Sequence, residues 1–497
     1  MKILIANRGE IAIRIIRACR ELGYSTVAVY SEPDRSSLHV LQADEAVPVG
    51  PAPSSESYLR VDRIIEAAKK TGADAIHPGY GFLAENATFS ETCREEGIIF
   101  IGPSTSAIRV MGSKTESRQL MEKAGVPVVP GLTRPVEGFE ELVDFASSSG
   151  YPVMLKASAG GGGKGMRIVH DEDALKKAYE RVSSEAASFF GDPSVYAERA
   201  ILAPRHIEVQ VLGDQHGNVI HLGERECTLQ RRHQKVIEEC PSPVTDEETR
   251  EKIGAIAVKA ASAVSYDSAG TVELLRDEKG DFFFLEMNTR LQVEHPVTEL
   301  VTGVDLVKEQ IRIAQGERLS LTQDEVRLRG HAIECRIYAE DPYRNFAPSP
   351  GLIRNLMLPS GPGVRNDNGV YSGYRVPLHY DPMLSKLITF GADRDEAIQR
   401  MKRALREYRV DGIQTTIPFY LAMMDNEDFR AGNFDTGFID RYLDEFAHPE
   451  VPDEYVEAAI VVAAIQTLED SEKVSLPKRR ESKWKLASRA EHVRGRL

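Results

Sequence analysis

Short apolar runs alternate with amphipathic helical patterns over the first hundred residues. Apolar residues at 11, 15, 19 and 22 fall on one face of a helix, and a second helical pattern over 61–72 ends at Gly72. Four further runs have the length of buried strands: 2–6, 25–31, 74–79 and 97–103. Strands that alternate with helices predict a parallel, doubly wound sheet with ligands at the carboxyl ends of its strands. The segment 7–10 lies at such an end but lacks the G-x-G-x-x-G spacing, so we predict a Rossmann-like shape without a bound dinucleotide.

Beyond residue 104 the pattern changes. Residues 104–130 are predicted to form a helical connection that ends in a Pro/Gly-rich boundary. Further strands are predicted at 151–158, 196–201, 206–213 and 218–226. A helix at about 246–264 then precedes a hairpin that turns at Glu278–Gly280. From Gly330 to about 390 the pattern is strand-like, and helices are predicted near 394–407 and 415–424.

The length and the charge limit the classes of function. At roughly 150 residues per domain, 497 residues correspond to about three domains. The 62 Lys and Arg residues against 76 Asp and Glu residues give a net charge of −14. This balance argues against nucleic acid or an anionic membrane as a partner, since both require excess basic charge. It leaves room for a local basic pocket that binds an anionic substrate.

The cysteines and the N-terminus indicate a compartment. The five cysteines are widely spread without a C-x-x-C pair, which favours buried thiols over zinc ligands or disulfides. The apolar run after Met1 is too short for a signal peptide, and no stretch reaches the roughly 20 apolar residues of a membrane span. We therefore expect a soluble, cytoplasmic enzyme.

The tail, residues 447–497, differs from the rest of the chain. A helical pattern there puts four residues on one stripe: Tyr455, Ala458, Val462 and Ile465. A basic run follows, and a solvated, partly disordered arm is the ordinary explanation of such a run. The alternative is a docking segment for a partner protein, with Trp484, the only tryptophan, as an anchor.

A glycine-rich loop at 159–165 is the most prominent local motif. Consecutive glycines weaken regular elements, but they let backbone N–H groups approach phosphate oxygens, and Lys164 adds positive charge. The loop is not a Walker A motif, because Gly165 and Met166 follow Lys164 where that motif requires Ser or Thr. A flexible surface hairpin is the alternative.

Two lysines are candidate phosphate contacts near this loop. Lys156 follows an apolar run just before the loop, and Lys114 lies beside Gly112. A nucleotide phosphate is a good partner for either ammonium group. An edge or exposed lysine is the alternative at both positions.

The segment 284–296 alternates polar and apolar residues. The polar positions share one parity: Glu286, Asn288, Arg290, Gln292 and Glu294. The other parity carries apolar residues: Leu285, Met287, Leu291 and Val293. In an extended chain this spacing places all five polar side chains on one face.

These polar positions suggest a metal site beside an anion pocket. Glu286 and Asn288, with Glu273 on the partner strand of the hairpin, offer the hard oxygen ligands of Mg²⁺ and leave room for phosphates. The others are candidates for an anion clamp, a neutral donor and a base: Arg290, Gln292 and Glu294, in that order. An amphipathic edge strand is the alternative, although Asn and Glu are poor strand formers.

A second polar run lies within residues 225–243. It brings five polar residues into a short span: Gln230, Arg231, Arg232, His233 and Lys235. A solvated basic patch is the default, and an anion-binding wall facing the clamp is the functional interpretation. His206, before an alternating strand, alone favours a structural role. Arg336 lies among apolar strand neighbours, where a buried, paired arginine is the alternative to a site role.

Taken together, these motifs resemble the biotin carboxylase family within the ATP-grasp fold. The resemblance runs in order from residue 1 to about 445, and many motifs at matching spacing carry it. They are ANRGEIA, AIHPGYGFLAEN, FIGPS, MGSK, KASAGGGGKGM, PRHIEVQV, QRRHQK, GTVELL, EMNTRLQVEHPVTE, GHAIECRI, YDPMLSKL and DGI.

The resemblance implies a multidomain fold of the α/β and α+β classes. A Rossmann-like N-terminal domain would span 1–112, and an ATP-grasp domain 113–330 would include a mobile glycine-rich lid at about 131–203. A mixed α/β C-terminal domain of the biotin carboxylase type would span 331–446. The tail is left over as a helical and basic segment.

The resemblance also assigns roles residue by residue. It implies ATP contacts at Lys114, Lys156, Gly161, Gly162, Gly163, Lys164, Glu198, Ile201, His206, Gln230 and His233. It implies Mg²⁺ or Mn²⁺ ligands at Glu273, Glu286 and Asn288, and a bicarbonate pocket at Lys235, Arg290, Gln292 and Val293. Glu294 matches the base that deprotonates bicarbonate, Arg336 the arginine that stabilises the biotin enolate, and Tyr80 the position where biotin approaches.

The implied reaction is ATP-driven formation of carboxyphosphate, followed by carboxylation of biotin at N1′. No A-M-K-M-like biotinylation site occurs in the sequence, so biotin is expected on a separate biotinylated carrier or carboxyltransferase subunit. The family is commonly dimeric, which implies a homodimer within a hetero-oligomer. The tail resembles that of separate biotin carboxylase subunits, most of all those of two-subunit pyruvate carboxylases. A component of an acetyl-CoA or propionyl-CoA carboxylase is the alternative.

Two departures from the family pattern are visible. Ala200 stands where relatives usually carry an aromatic residue, and Cys240 stands where they carry alanine. Both are expected to border the nucleotide region and to affect nucleotide affinity. Another ATP-grasp ligase, or an inactive nucleotide-binding subunit, is the remote alternative. It would require the loss of metal, base or bicarbonate residues, and all of these are present.

Overall fold

The computed structural model describes residues 1–132, 134–158, 165–232, 234–447 and 453–472. Contacts between residues divide the chain into two units, Met1–Ala447 (the body) and His448–Leu497. Each unit is described by itself.

A five-stranded parallel sheet begins the body. Its elements are β1 (Lys2–Ile5), α1 (Gly9–Glu21), β2 (Ser25–Ser31), α2 (Leu38–Gln42), β3 (Glu45–Gly50), α3 (Val61–Thr71), β4 (Ala75–His77), α4 (Ala87–Glu95) and β5 (Ile99–Phe100). The strands lie side by side in the order β3-β2-β1-β4-β5. The predicted parallel, doubly wound sheet is confirmed.

Burial explains which of these elements the sequence predicted. Ile11, Ile15 and Cys19 of α1 are at most 2% exposed and pack in one core with β1. Helix α3 ends where predicted, because Gly72 adopts the left-handed backbone with a φ of 64°. Strand β3 was not predicted: it lies at the edge of the sheet, is mostly not buried, and contains Pro48.

A helical connection and a small antiparallel sheet follow. The elements are α5 (Thr105–Gly112), α6 (Lys114–Lys123), α7 (Phe139–Ser149), β6 (Val153–Ala157), β7 (Met166–Val169), α8 (Glu172–Phe190) and β8 (Val195–Arg199). The three strands have the order β7-β6-β8. They enclose a core of their own with α7 and α8, built around Leu142, Leu155, Leu175 and Val195.

The rest of the body supplies the largest sheet and the helices that cover it. Up to residue 330 the elements are β9 (Arg205–Gly213), β10 (Val219–Arg231), β11 (Gln234–Cys240), α9 (Glu247–Ala263), β12 (Ala269–Arg276), β13 (Phe282–Asn288), α10 (His295–Thr302) and α11 (Leu306–Ala314). After residue 330 they are β14 (His331–Tyr338), β15 (Glu340–Asp341), β16 (Ala347–Pro348), β17 (Gly351–Leu352), β18 (Asn355–Met357), β19 (Val364–Asn368), β20 (Arg375–Val376), β21 (Met383–Gly391), α12 (Arg394–Glu407), β22 (Arg409–Asp411), α13 (Ile417–Asp425), α14 (Glu427–Ala431) and α15 (Phe438–Ala447).

Eight of these strands form one antiparallel sheet in the order β13-β12-β9-β10-β11-β14-β21-β19. The sheet is continuous across residue 330, because β11 pairs with β14. Helix α9 packs on the β9–β12–β13 end through Ile253 and Ala257, and α12 and α13 bury the β14–β21 end. Polar side chains occupy part of the sheet, and they form the candidate site.

One prediction about this sheet is wrong. The polar segment 284–296 is not one extended strand, because β13 ends at Asn288 and the chain turns before α10 begins at His295. The predicted hairpin between β12 and β13 does form. The period-two spacing therefore describes only the part of the segment up to Asn288.

In the second unit, the predicted tail helix forms as α16 (Asp453–Glu472). Its apolar side chains are exposed, with Ile460 at 64% and Val462 at 60%. The basic run and Trp484 lie outside the described residues. Among the described helices, none has both the length and the apolar character that crossing a membrane requires.

Candidate active site

The β12–β13 hairpin sets two carboxylates opposite each other. Glu273 on β12 pairs in register with Glu286 on β13, so their side chains project from the same face of the sheet. Glu273 is surrounded by cationic and amide groups. Its Oε1 accepts hydrogen bonds from Lys235 at 3.1 Å, Asn288 at 2.8 Å and Gln292 at 2.9 Å. Burial would raise the pKa of Glu273, but Lys235 and His206 hold it well below its usual value.

Glu294 reaches the same place by a different path. After β13 ends, the chain turns and puts Glu294 at the N-cap position of α10, where it is 2% exposed. Lys235 Nζ donates to its Oε1 at 2.8 Å, and Arg336 Nη2 donates to its Oε2 at 3.0 Å. Burial alone would raise the pKa of Glu294, but Lys235, Arg336 and Arg225 together hold it well below its usual value. Glu294 is thus an ionised carboxylate held between two cations.

Arg336 is held in turn by Glu238. Its Nε donates to Glu238 Oε1 at 2.7 Å, and both side chains are buried. A guanidinium group bound by two carboxylates keeps a fixed orientation, since its donors form a planar fork. The structure therefore brings three predicted catalytic residues together: Lys235, Glu294 and Arg336.

Arg290 is the fourth predicted catalytic residue, and it lies at the edge of the cluster formed by the other three. Its Nε donates to Glu85 Oε2 at 2.8 Å, and its Nη2 donates to Asn288 Oδ1 at 2.8 Å. The side chain is about one fifth exposed. Arg290 is thus oriented by the loop at 78–86 and remains accessible for an anion.

Sequence reasoning missed a fully buried arginine beneath the site. Arg225 on β10 is 0% exposed and donates to Gln292 Oε1 at 2.7 Å and to Glu208 Oε2 at 3.2 Å. Glu208 also bonds Lys235. Alternation along HIEVQV places Glu208 on the same face as His206, but it gives no sign of Arg225 or of the burial of either residue.

Glu286 is the carboxylate of this group that lacks a partner. It makes no hydrogen bond or ion pair with the residues that the structure describes. Burial, together with the charge of Glu273, raises its pKa to about 7. Two opposed carboxylates, one of them unneutralised, are a hard-oxygen donor set that fits a divalent cation. Asn288 fits less directly, because its Oδ1 already accepts from Arg290.

Four charged groups from three elements meet beside Glu286. Lys156 of β6 and Arg118 of α6 both bond Glu198 of β8, the latter at 3.2 Å. Lys114 starts α6, and burial, followed by the charge of Lys156, lowers its pKa. The charges of Glu286 and Glu198 also act on Lys114. Two lysines held next to each other are suited to bind an anion such as phosphate; Arg118 was not predicted.

His206 and Gln230 lie together between the two groups. Gln230 Nε2 donates to His206 Nδ1 at 2.8 Å, and His206 Nε2 lies 3.0 Å from Glu273 Oε2. The predicted neighbour Ile201 is half-buried just after β8, and Ala200 is 8% exposed. Five further predicted contacts lie outside the described residues: Gly161, Gly162, Gly163, Lys164 and His233.

Tyr80 and Val293 are connected through Lys386. The Tyr80 hydroxyl bonds Glu10, and the ammonium of Lys386 lies 3.3 Å from Glu10 and 5.6 Å from the centre of the Tyr80 ring. Lys386 Nζ also donates to the carbonyl of Val293 at 2.8 Å. Tyr80 is therefore anchored to the turn that carries Glu294.

Cys240 does not lie where it was expected. It is 0% exposed and packs in a small apolar cluster with Val297, Val301, Ala332 and Ile388. That cluster contains none of the predicted nucleotide contacts. The expectation that Cys240 borders the nucleotide region is wrong, because the end of β11 lies under α10.

Models of protein families match most of the body. The biotin carboxylase N-terminal domain matches residues 1–108, the ATP-binding domain of the carbamoyl-phosphate synthase L chain matches 113–322, and the biotin carboxylase C-terminal domain matches 334–441. An ATP-grasp ligase is therefore the class that the fold and the site define.

Curated relatives make the assignment narrower. The chain is 59% identical over 441 residues to a pyruvate carboxylase subunit of Methanothermobacter thermautotrophicus, covering 89% of this chain and 90% of that protein. It is 57% identical over 442 residues to biotin carboxylase 1 of Bacillus subtilis, covering 89% and 98%. The chain belongs to the biotin carboxylase family.

A solved structure agrees with this family. The biotin carboxylase domain dimer of Hydrogenobacter thermophilus 2-oxoglutarate carboxylase, in complex with MgADP, ADP and bicarbonate, has a TM-score of 0.86 and 49% identity. The match covers 90% of this chain and 99% of that one.

Proposed function

We propose that this biotin carboxylase uses ATP and bicarbonate to carboxylate biotin on a separate carrier protein, as one subunit of a pyruvate carboxylase. The observation that carries the chemistry is Glu294, an ionised carboxylate held between Lys235 and Arg336. A base of this kind needs an acidic proton next to it and cations that stabilise the anion formed, and both cations are in place.

ATP would bind across Lys114 and Lys156, whose ammonium groups face its phosphates. Glu273 and Glu286 would hold Mg²⁺ or Mn²⁺, and Asn288 would join them when Arg290 turns to an anion. When bound, the metal neutralises phosphate charge and orients the transferred phosphoryl group. Burial of Glu286 without a cation supports this assignment.

Bicarbonate would lie between Lys235, Arg290, Gln292 and the backbone at Val293. Glu294 takes the proton of its O–H, and the resulting carbonate attacks the γ-phosphorus of ATP, with ADP as the leaving group. Carboxyphosphate is the product. Lys235 already bonds Glu294, so the same ammonium group can balance the charge before and after proton transfer.

Biotin would approach past Tyr80 to Arg336. Carboxyphosphate would break its C–O bond to give CO₂ and phosphate, and the phosphate would take the proton of N1′. The guanidinium group of Arg336 would stabilise the enolate oxygen that forms, and N1′ would then attack the carbon of CO₂ to give carboxybiotin. Because Glu238 and Glu294 fix Arg336 from two sides, it is held in position before biotin arrives.

ADP release tests this chemistry directly. Rates are measured with ATP and Mg²⁺, with and without bicarbonate, and with and without free biotin. We expect release that depends on bicarbonate and is stimulated by biotin. Equal rates in all four mixtures would reject the proposal.

The acceptor is proposed as pyruvate because of how the relatives align. The match spans 98% of the Bacillus subtilis biotin carboxylase but only 90% of the Methanothermobacter protein, and it likewise leaves part of this chain unmatched. This chain and the Methanothermobacter protein both extend beyond the matched segment, and this supports a pyruvate carboxylase component of that kind. The five buried thiols support the cytoplasm as its location.

The acceptor is tested with the assembled enzyme. A pull-down of the full chain under mild conditions, followed by mass spectrometry, identifies a biotinylated subunit. The reconstituted complex is then assayed with pyruvate, acetyl-CoA and propionyl-CoA. We expect carboxylation of pyruvate, by a hetero-oligomer that contains a homodimer of this chain; carboxylation of an acyl-CoA instead would select the alternative.

A further inference from the structure

Glu334 is a buried carboxyl group for which the proposed mechanism has no role. It lies on β14 two residues before Arg336, on the same face of the strand, and is 0% exposed. Neither of its oxygens makes a hydrogen bond to any residue that the structure describes. Buried polar groups are normally hydrogen-bonded, so an unpartnered carboxylate calls for an explanation.

A second unpartnered oxygen lies on the neighbouring strand. Glu238 of β11 is directly opposite Glu334 in the register with β14. Its Oε1 accepts from Arg336, but its Oε2 has no hydrogen-bond partner within the described part of the chain. Directly opposed residues of an antiparallel pair project from the same face with Cβ atoms about 4.5–5.5 Å apart. Three buried carboxylate oxygens without a donor therefore belong to two adjacent side chains.

A single proton on this pair satisfies two of the three oxygens. A neutral carboxylic acid has an O–H to donate, and Glu238 Oε2 is an acceptor. The proton belongs on Glu334, because Glu238 is bound directly to the Arg336 guanidinium group. Burial raises the pKa of Glu334 well above its usual value, and Lys386 on the other neighbouring strand does not offset this. Lys386 is already engaged by the Val293 carbonyl and by Glu10.

We propose that Glu334 is a positioning residue that, as a neutral carboxylic acid, donates a hydrogen bond to Glu238 Oε2 and thereby fixes Arg336 in the carboxylation site. The bonds then form one series from Glu334 through Glu238 and Arg336 to Glu294. An ionised Glu334 would instead repel Glu238 and draw Arg336 away from Glu294. The inference rests on the proposed function only in the role of Arg336 toward biotin.

Two variants separate donation from simple packing. Glu334→Gln keeps a donor of the same shape, whereas Glu334→Leu fills the space without one. We expect Glu334→Leu to lower the rate of biotin carboxylation about 10- to 100-fold, as for other residues that orient a site residue from behind, with the KM for ATP within about twofold. Glu334→Gln should stay within about threefold of the unmodified rate. Cys335→Ala, the next residue of β14 but on its other face, is the matched control and should leave the rate unchanged.

Infrared spectroscopy tests the proton without reference to activity. The difference spectrum between the unmodified protein and Glu334→Gln at neutral pH should contain the C=O band of one protonated carboxylic acid. This result stands even if the protein carboxylates nothing, so it separates failure of this inference from failure of the proposed function. Loss of carboxylate bands instead would overturn the inference. Equal rates for Glu334→Gln and Glu334→Leu would overturn the positioning role, and if Glu334→Leu does not fold, a Glu334→Gln rate reduced tenfold or more would do the same.

Discussion

Glu286 and Glu294 lie eight residues apart, one half-buried and the other buried, and their surroundings are opposite. Glu286 faces another carboxylate, Glu273, and its pKa is raised to about 7 by burial and by that charge. Glu294 is more deeply buried, at 2% exposed, but Lys235 and Arg336 hold its pKa well below the usual value. One carboxylate therefore lacks a cation, and the other has two.

The difference shows that the neighbouring charges set the pKa of each carboxylate in this site. Residue type and sequence spacing do not. In the proposed function, the carboxylate that lacks a cation binds the metal that arrives with the nucleotide. A carboxylate that is already neutralised stays ionised and can act as a base at neutral pH. Pairs of titratable groups with pKa values pushed apart are characteristic of sites that combine two such roles.

Removing the charge of Glu294 should have the largest effect. Glu294→Gln cannot accept the bicarbonate proton, so we expect kcat for bicarbonate-dependent ATP cleavage to fall about 10²- to 10⁴-fold. The Kd for ATP should change little, because Glu294 is not one of the proposed phosphate contacts, Lys114 and Lys156. Steady-state kinetics and calorimetric titration with ATP measure the two. Glu278→Gln, an exposed glutamate in the turn of the same hairpin, is the control, and turnover of Glu294→Gln close to that of this control would reject Glu294 as the base.

Removing one of the two cations should weaken the contrast between the carboxylates. In Arg336→Gln the pKa of Glu294 should rise, because a cation that lowers it is gone. The acidic limb of the pH–rate profile for ATP cleavage should then move to higher pH, and biotin carboxylation should fall about 10²-fold. Arg344→Gln, an exposed arginine in the same C-terminal region, should leave the profile unchanged. An acidic limb at the same pH in both variants would contradict the effect of Arg336 on Glu294.

Removing the unneutralised carboxylate should stabilise the protein in the absence of metal. The pKa of Glu286 is raised from 4.5 to about 7, so its charge costs stability progressively as pH rises from 4.5 to 7, and fully above 7. Glu286→Gln should then unfold with a free energy about 1–3 kcal/mol higher than the unmodified protein at pH 8 without metal. Added Mg²⁺ with ATP should reverse the order, because only the unmodified site offers both carboxylates. Urea unfolding of both proteins, with and without metal, measures the two free energies of unfolding. If the difference between them does not depend on pH, the effect assigned to the Glu286 charge is contradicted.

Cys240 should show the smallest effect on function. Because its thiol packs in an apolar cluster away from both carboxylates, Cys240→Ala should leave the KM for ATP unchanged. The free energy of unfolding should fall by about 1 kcal/mol as a small cavity opens. Ala200→Phe, next to the nucleotide contacts on β8, is the comparison variant and should change the KM for ATP. A changed KM in Cys240→Ala would show that this cluster acts on the nucleotide.

Local patterns predicted most of the elements and the central site residues. The hairpin, α1 and α3 follow from periodicity and from Gly72, and Glu273 and Glu286 are opposed as expected. The end of β13 could not be predicted, because polar residues keep the same parity beyond Asn288 while the chain turns. Glu294 reaches the site through that turn and not through strand geometry.

The residues that support the site were missed for a different reason. Three of them come from the consecutive strands β9, β10 and β11, and the fourth comes from β21: Glu208, Arg225, Glu238 and Lys386. The order of the sheet places them around the site. Each reads as an ordinary charged residue in isolation. Each is 0% exposed and is bonded to a residue of another element, and single-strand alternation does not reveal these partners.

The pairing of β11 with β14 has a consequence for how this protein can be divided or recombined. That pairing holds Glu238 beside Arg336, although the two residues belong to parts of the chain on opposite sides of residue 330. A fragment that stops near 330 would keep β11 but expose its edge, and would leave Glu294 with one cation instead of two. If the C-terminal part is exchanged between relatives, the chimera must therefore keep the register of β11 with β14 as well as Glu238 and Arg336. The candidate site therefore needs residues from both sides of residue 330.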